Sequence, residues 1–163
     1  MKPHTEQPRP EQTLRIGGLV TEERQLTVAD LATLPRTGTA AEFHCDGKPK
    51  TTDRFWRGPR LVDVIGLAGP LPAAGYVRVG AGEYVAPLTR DEAESAILAD
   101  MVDDQPISPE SGGPWRLVLP GLRCSASVKW VDRLELAAEA GENTGLALVR
   151  ARNRARRAQK QVS

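Results

Sequence analysis

The 163-residue chain is poor in three things: cysteine, of which it has two, bulky aromatics, and charge of one sign. Two thiols, Cys45 and Cys124, are too few for a disulfide-dense secreted scaffold and lack the close spacing of a zinc knuckle, so a reduced, cytoplasmic setting is expected. Lys+Arg 22 against Asp+Glu 21 leaves a net charge of +1. No global field would recruit nucleic acid or an anionic membrane. No segment approaches about eighteen consecutive apolar residues, so none is expected to span a bilayer. Residues 1–12 are polar and proline-rich and lack the apolar stretch of a secretory signal.

What is present suffices for one core. The length suits a single domain, read over 13–140, with an N-terminal extension at 1–12 and a basic tail at 141–163. Residues 14–20 (LRIGGLV) alternate as a first strand, with a turn at 22–25. Thr27 with Asp30 forms a capping box for a short helix that Pro35 stops. Residues 39–45 read as extended, so Cys45 falls at a strand-to-loop junction before the polar loop 46–53. Leu61, Val62, Val64, Ile65, Leu67 and Ala68 have helical spacing, ended by Gly69-Pro70. Residues 76–79 and 83–86 flank Gly80-Ala81-Gly82 as a hairpin. Thr89 and Glu92 form a second capping box, and the stripe Ala93, Ile97, Leu98, Met101 predicts the clearest helix of the chain. A loop at 103–114 precedes a strand at 115–119, and 127–137 alternates as a half-buried strand. Trp56, Trp115 and Trp130 are expected to be core or pocket wall, since a core needs the few large aromatics there are. Gly80-Ala81-Gly82 lacks the third glycine and following helix of a dinucleotide fingerprint. No internal repeat is found.

Four blocks occur in a telling order: Phe43-His44-Cys45-Asp46-Gly47; Phe55-Trp56-Arg57-Gly58 before Leu61-Val62-Asp63-Val64; Gly112-Gly113-Pro114-Trp115-Arg116-Leu117-Val118-Leu119-Pro120-Gly121; and Ser127-Val128-Lys129-Trp130-Val131. Together they resemble the oxidoreductase molybdopterin-binding domain of the sulfite oxidase family over about residues 14–136. The resemblance implies an α+β fold of mixed sheets with short peripheral helices. It also implies molybdenum-molybdopterin (Moco) as cofactor, oxygen-atom transfer on a small-molecule substrate, and a separate electron acceptor protein. Cys45 matches the molybdenum ligand, a soft thiolate apt for that metal. Cofactor contacts are implied at His44, Cys45, Gly47, Arg57, Arg123, Ser127 and Lys129, with Lys129 matching a pterin-contacting lysine. Arg116 reads as a strand residue near the pocket.

The chain departs from the family pattern in three places. Ser111 stands where many members have His, Cys124 where Gly is common, and Ala126 where Arg or Lys is usual; Arg123 would replace the lost cation. Lys48, Lys50 and Arg54 stand in for the two arginines that follow the cysteine in the usual sulfite oxidase, so sulfite does not follow as substrate. Neither a haem-attachment motif nor the family's dimerisation domain is found in the sequence. These departures leave room for a non-catalytic member of the fold that has lost the cofactor and serves as a binding or partner module. A thiol switch between Cys45 and Cys124 would require their Cα atoms within about 7 Å. The Arg-rich tail reads as a solvated extension rather than an RNA or lipid contact.

Overall fold

The computed structural model of the protein describes residues 12–41, 54–119 and 128–141. β1 (Leu14–Gly18) turns Leu14 and Ile16 inward and pairs antiparallel with β2 (Arg24–Leu26), where Leu14 lies opposite Leu26. The turn expected at 22–25 is therefore shorter, and Arg24 and Gln25 already belong to a strand. α1 (Val28–Ala32) has the expected capping box: Thr27 Oγ1 accepts from the Asp30 amide at 3.2 Å and Asp30 accepts from the Thr27 amide at 2.9 Å. β3 (Arg36–Ala41) begins three residues before the extended piece expected at 39–45. It pairs over its whole length with β4 (Arg54–Pro59), a strand that its sequence does not announce.

α2 (Leu61–Gly66) buries Leu61, Val64 and Ile65, as its spacing requires. β5 (Tyr76–Ala81) and β6 (Tyr84–Thr89) form the expected hairpin, tightened so that Gly82 and Glu83 alone make the turn. The next element corrects the sequence reading. α3 (Arg90–Ser95) keeps its Thr89–Glu92 capping box but stops at Ser95, so Ile97, Leu98 and Met101 are not helical. They lie on β7 (Ile97–Ala99) and β8 (Met101–Val102). All three residues of β7 are buried, which a strand covered on both faces achieves and a surface helix does not.

β9 (Gln105–Pro106) and a 3-10 turn at Pro109–Ser111 follow, then β10 (Arg116–Val118) and β11 (Arg133–Ala137). The strand expected over 127–137 thus shrinks to its second half. Trp130 has φ +56°, in the left-handed region, and breaks the extended run.

The described residues form three sheets: β2-β1-β11-β5-β6, β3-β4-β8-β9, and the antiparallel pair β10-β7. β1 and β11 are parallel, while the other pairings are antiparallel. The pair β7-β10 is a wall between two cores. Leu98, Trp115, Leu117 and Leu119 face the large core under the five-stranded sheet. Ile97, Ala99 and Val118 face a smaller one with Trp56, Val102 and Ile107. Among the described residues no helix is long and apolar enough to cross a membrane.

Candidate functional site

The two-residue period of β10 decides the direction of Arg116. Leu117 points into the large core, so Arg116 and Val118 point the other way, toward the small core. There the Arg116 guanidinium lies over the Trp56 indole, 4.9 Å from its centroid. Its Nη1 donates to the Ser111 carbonyl at 3.1 Å. On β4 the same period puts Arg54 on Trp56's side, and its guanidinium carbon is 5.9 Å from that ring. Two cations therefore share one indole, and Arg116 is the one charged side chain among the buried polar groups described, at 9% exposure.

The block around Lys129 lies along the other side of β10. The Leu117 amide donates to the Val128 carbonyl at 2.9 Å and the Val131 amide to the Trp115 carbonyl at 3.0 Å, so this block is bonded to the residues on both sides of Arg116. Trp130 donates its amide to the Gly112 carbonyl at 2.8 Å and its indole Nε1 to the Pro109 carbonyl at 2.6 Å. Lys129 Nζ stands 5.8 Å from the Trp130 ring.

Burial, and after it the neighbouring Arg54 charge, pulls the Arg116 guanidinium down to about 10. It is still a cation at neutral pH, held where positive charge is disfavoured, and an anion placed beside it would relieve that cost. Asp103 moderates Arg54: its carboxylate accepts from the Phe55 amide at 2.9 Å and from Arg54 Nε at 3.1 Å. The amide first and Arg54 second hold Asp103 below its ordinary 3.8. A depressed carboxylate contributes stability above the unfolded value and loses it as pH falls through the folded one. The stability difference between wild type and Asp103→Asn is therefore expected to be full above pH 3.8 and to shrink below it. Denaturant melts across that range check this, and a pH-independent difference would show that the carboxylate is not linked to folding.

Of the residues singled out from sequence, Ser111 gives its carbonyl to Arg116, and the Lys129 stem lies over Gly112, the next residue of the same turn. The structure turns Arg57 to the opposite face of β4, where it lies 5.4 Å over the exposed Phe55 ring and 3.4 Å from Asp104. His44, Cys45, Gly47, Arg123 and Ser127 lie outside the described residues, as do Cys124 and Ala126. Trp56 and Trp115 are core residues, at 2% and 1% exposure, but Trp130 is 48% exposed and is not. Sequence reasoning undervalued Arg116 and passed over Arg54 as a partner of Trp56. The signal for the first was available, since a lone arginine inside Trp115–Leu119, an otherwise apolar strand, needs a reason to be there. Among the described residues no group of three His, Cys, Asp or Glu side chains could hold a metal ion. A cleft of about 470 Å³ opens on the outer face of the five-stranded sheet, lined by Arg15, Gly17, Glu23, Arg24, Arg133 and Glu135. It mixes both signs of charge and touches none of the four sequence blocks.

The model of one protein family, the oxidoreductase molybdopterin binding domain, matches residues 3–144. Among curated proteins the chain is 33% identical over 129 residues to the uncharacterized oxidoreductase YuiH of Bacillus subtilis, covering 77% of this chain and 65% of that one. It is 24% identical over 165 residues to the sulfite oxidase of Arabidopsis thaliana, with 78% and 42% covered. A nitrate reductase of Hordeum vulgare is 32% identical over 103 residues, covering 54% of this chain and 12% of its own. The chain thus spans about two thirds or less of these relatives. Among solved structures, the sulfane dehydrogenase SoxCD of Paracoccus pantotrophus superposes with a TM-score of 0.73 at 25% identity, covering 80% of this chain and 39% of that one. The fold is the molybdopterin-binding one of that structure, with mixed sheets and few short helices, as expected from the resemblance.

Proposed function

From the premise that the chain belongs to the oxidoreductase molybdopterin binding domain family, we propose that it is a molybdenum-cofactor-dependent enzyme that moves an oxygen atom to or from a small substrate, with Cys45 as the protein ligand to the metal. The observation that carries this reading is the meeting of three of the four sequence blocks around β10, with Trp56 against Arg116 and the Lys129 block bonded to Trp115 and Leu117. The fourth, with Cys45, begins two residues after Ala41, whose ladder partner is Arg54.

Molybdenum-molybdopterin is the cofactor of this family, and when bound it supplies two-electron oxygen-atom exchange. The residues present fit a phosphate-bearing group. Arg116 is a desolvated cation next to a second cation, and the turn whose Ser111 carbonyl receives it also carries the Lys129 stem across Gly112. Lys129 and Arg116 would hold the anionic end of the pterin, a point charge beside a planar fork. Arg54 takes the part that sequence suggested for Arg57, because it stands on the Trp56 side of β4. Cys45 would present its thiolate, His44 would tune that sulfur, and Gly47, Arg123 and Ser127 would add contacts to the cofactor.

Two relatives carry names that specify sulfite and nitrate, both small oxyanions. A cation-rich setting suits that charge, so we take a small oxyanion as the substrate class. Electrons would pass to a separate acceptor protein.

The test is the composition of folded protein purified from a host that makes the cofactor: stoichiometric molybdenum and pterin are expected. Their absence would overturn the reading and leave a non-catalytic member of the fold. In the same preparation Arg116→Met is expected to lower bound molybdenum about tenfold, the scale of a supporting contact. Its melting temperature should stay within a few degrees, because a similar-sized apolar chain removes a buried charge as well as a hydrogen bond. Full molybdenum in Arg116→Met would show that the cation does not serve the cofactor.

A further inference from the structure

We infer that Gly112 is a positioning residue for Lys129, setting where that cation stands by having no side chain of its own. This rests on the proposal that Lys129 holds the anionic end of the pterin. Gly112 closes the 3-10 turn with φ +104°, and an added Cβ would lie 2.7 Å from Lys129 Cγ, 2.8 Å from its Cβ and 3.3 Å from its Cα. The lysine stem therefore crosses directly over the bare glycine. A four-carbon stem is otherwise free to swing. Here the next residue pins it as well, since Trp130 donates once to Gly112 and once to Pro109 of the same turn.

The backbone around that turn is costly to hold. A bulky residue at φ +56° is an outlier, and strain of that kind persists only where surrounding contacts enforce it. Trp130 leaves nearly half its surface in water, so burial of its ring is not the whole reason for the conformation. What the arrangement achieves is a fixed path for Lys129. The same turn offers the Ser111 carbonyl to Arg116, so one short segment registers both cations.

The experiment compares release of the pterin from diluted holoprotein, followed by fluorescence of the released and oxidised pterin. The variants are Gly112→Ala, Lys129→Gly, the pair together, and Gly82→Ala. Gly82, at φ +59° with open space where a Cβ would go, controls for a glycine-to-alanine change at a turn, while the backbone strain at φ +104° is common to Gly112→Ala and the pair. Gly112→Ala and Lys129→Gly are each expected to release pterin about tenfold faster, the pair no faster than Lys129→Gly alone, and Gly82→Ala at the wild-type rate. Non-additivity is the signature of one residue acting through the other.

Wild-type release from Gly112→Ala, or multiplied effects in the pair, would overturn the inference while leaving Lys129 as the pterin anchor. Unchanged release from Lys129→Gly, or wild-type protein without pterin, would sink both. If Gly112→Ala alone fails to fold, the pair should fold, since Lys129→Gly removes both clashing carbons. A pair that also fails would mean that the glycine serves only its backbone conformation, and the inference would fall.

Discussion

Cys45→Ala protein is expected to fold and to keep pterin, yet to lose oxygen-transfer turnover by more than about 100-fold, the upper end of what an outer-shell partner costs a metal site. Two separate grips would hold the cofactor. Lys129 and Arg116 would hold the anionic end through charge, and removing a sulfur elsewhere leaves that attraction in place. Only the sulfur would touch the metal, and a soft thiolate shapes the electronics of such a centre in a way that a methyl group cannot. Cys45→Ser should likewise keep pterin and lie close to Cys45→Ala in turnover, since a hydroxyl is a poor substitute for a polarizable thiolate. Cys124→Ala should match wild type, because that cysteine reads as a small hydrophobe. Turnover assays alongside molybdenum and pterin content check the set. Undiminished turnover in Cys45→Ala would remove the cysteine from the mechanism.

The second large effect is on stability. Trp56→Ala is expected to cost about 3–5 kcal/mol, as truncating a large buried aromatic does. Trp56 is 2% exposed and is the largest member of a small core otherwise built from Ile97, Ala99, Val102, Ile107 and Val118. Four of those neighbours, Ile97, Ala99, Val102 and Val118, sit on ladders whose backbones cannot close over so large a void. Arg54 and Arg116 would also lose the ring they share, leaving two repelling cations without its negative face. Against a domain stability of about 5–15 kcal/mol this is a large share. It corresponds to a fall in melting temperature of roughly 6–20 °C. Thermal melts of the purified variants decide the matter, with Trp56→Phe expected between the two. A cost under about 1 kcal/mol for Trp56→Ala would show that the small core is not built around this ring.

How much of this could be read in the residues varies with the range of the interactions that decide each element. The capping boxes at Thr27 and Thr89 are local, and both are present, because hydroxyl and carboxyl reach only the amides of the same turn. The β5-β6 hairpin is equally local, and its turn moved by little. α3 is the instructive failure. Ala93, Ile97, Leu98 and Met101 have helical spacing, yet the helix ends at Ser95. Ile97–Ala99 finds its partner in β10, nearly twenty residues further on, and no window of sequence around α3 contains that partner. β4 was missed for the same reason, since β3 and a ladder of six residue pairs make it a strand.

The site divides in the same way. Block order along the chain was enough to place it in its family, to single out Lys129 and to propose Cys45, because spaced motifs survive as sequence whatever the folding detail. Which cations stand together was settled by strand period and sheet pairing. Alternation on β10 sends Arg116 to Trp56, and alternation on β4 brings Arg54 with it while turning Arg57 away. Residue types and their order along the chain thus determined the family and the local turns. Which face each side chain occupies was decided only in three dimensions, because it follows from distant strands meeting in register.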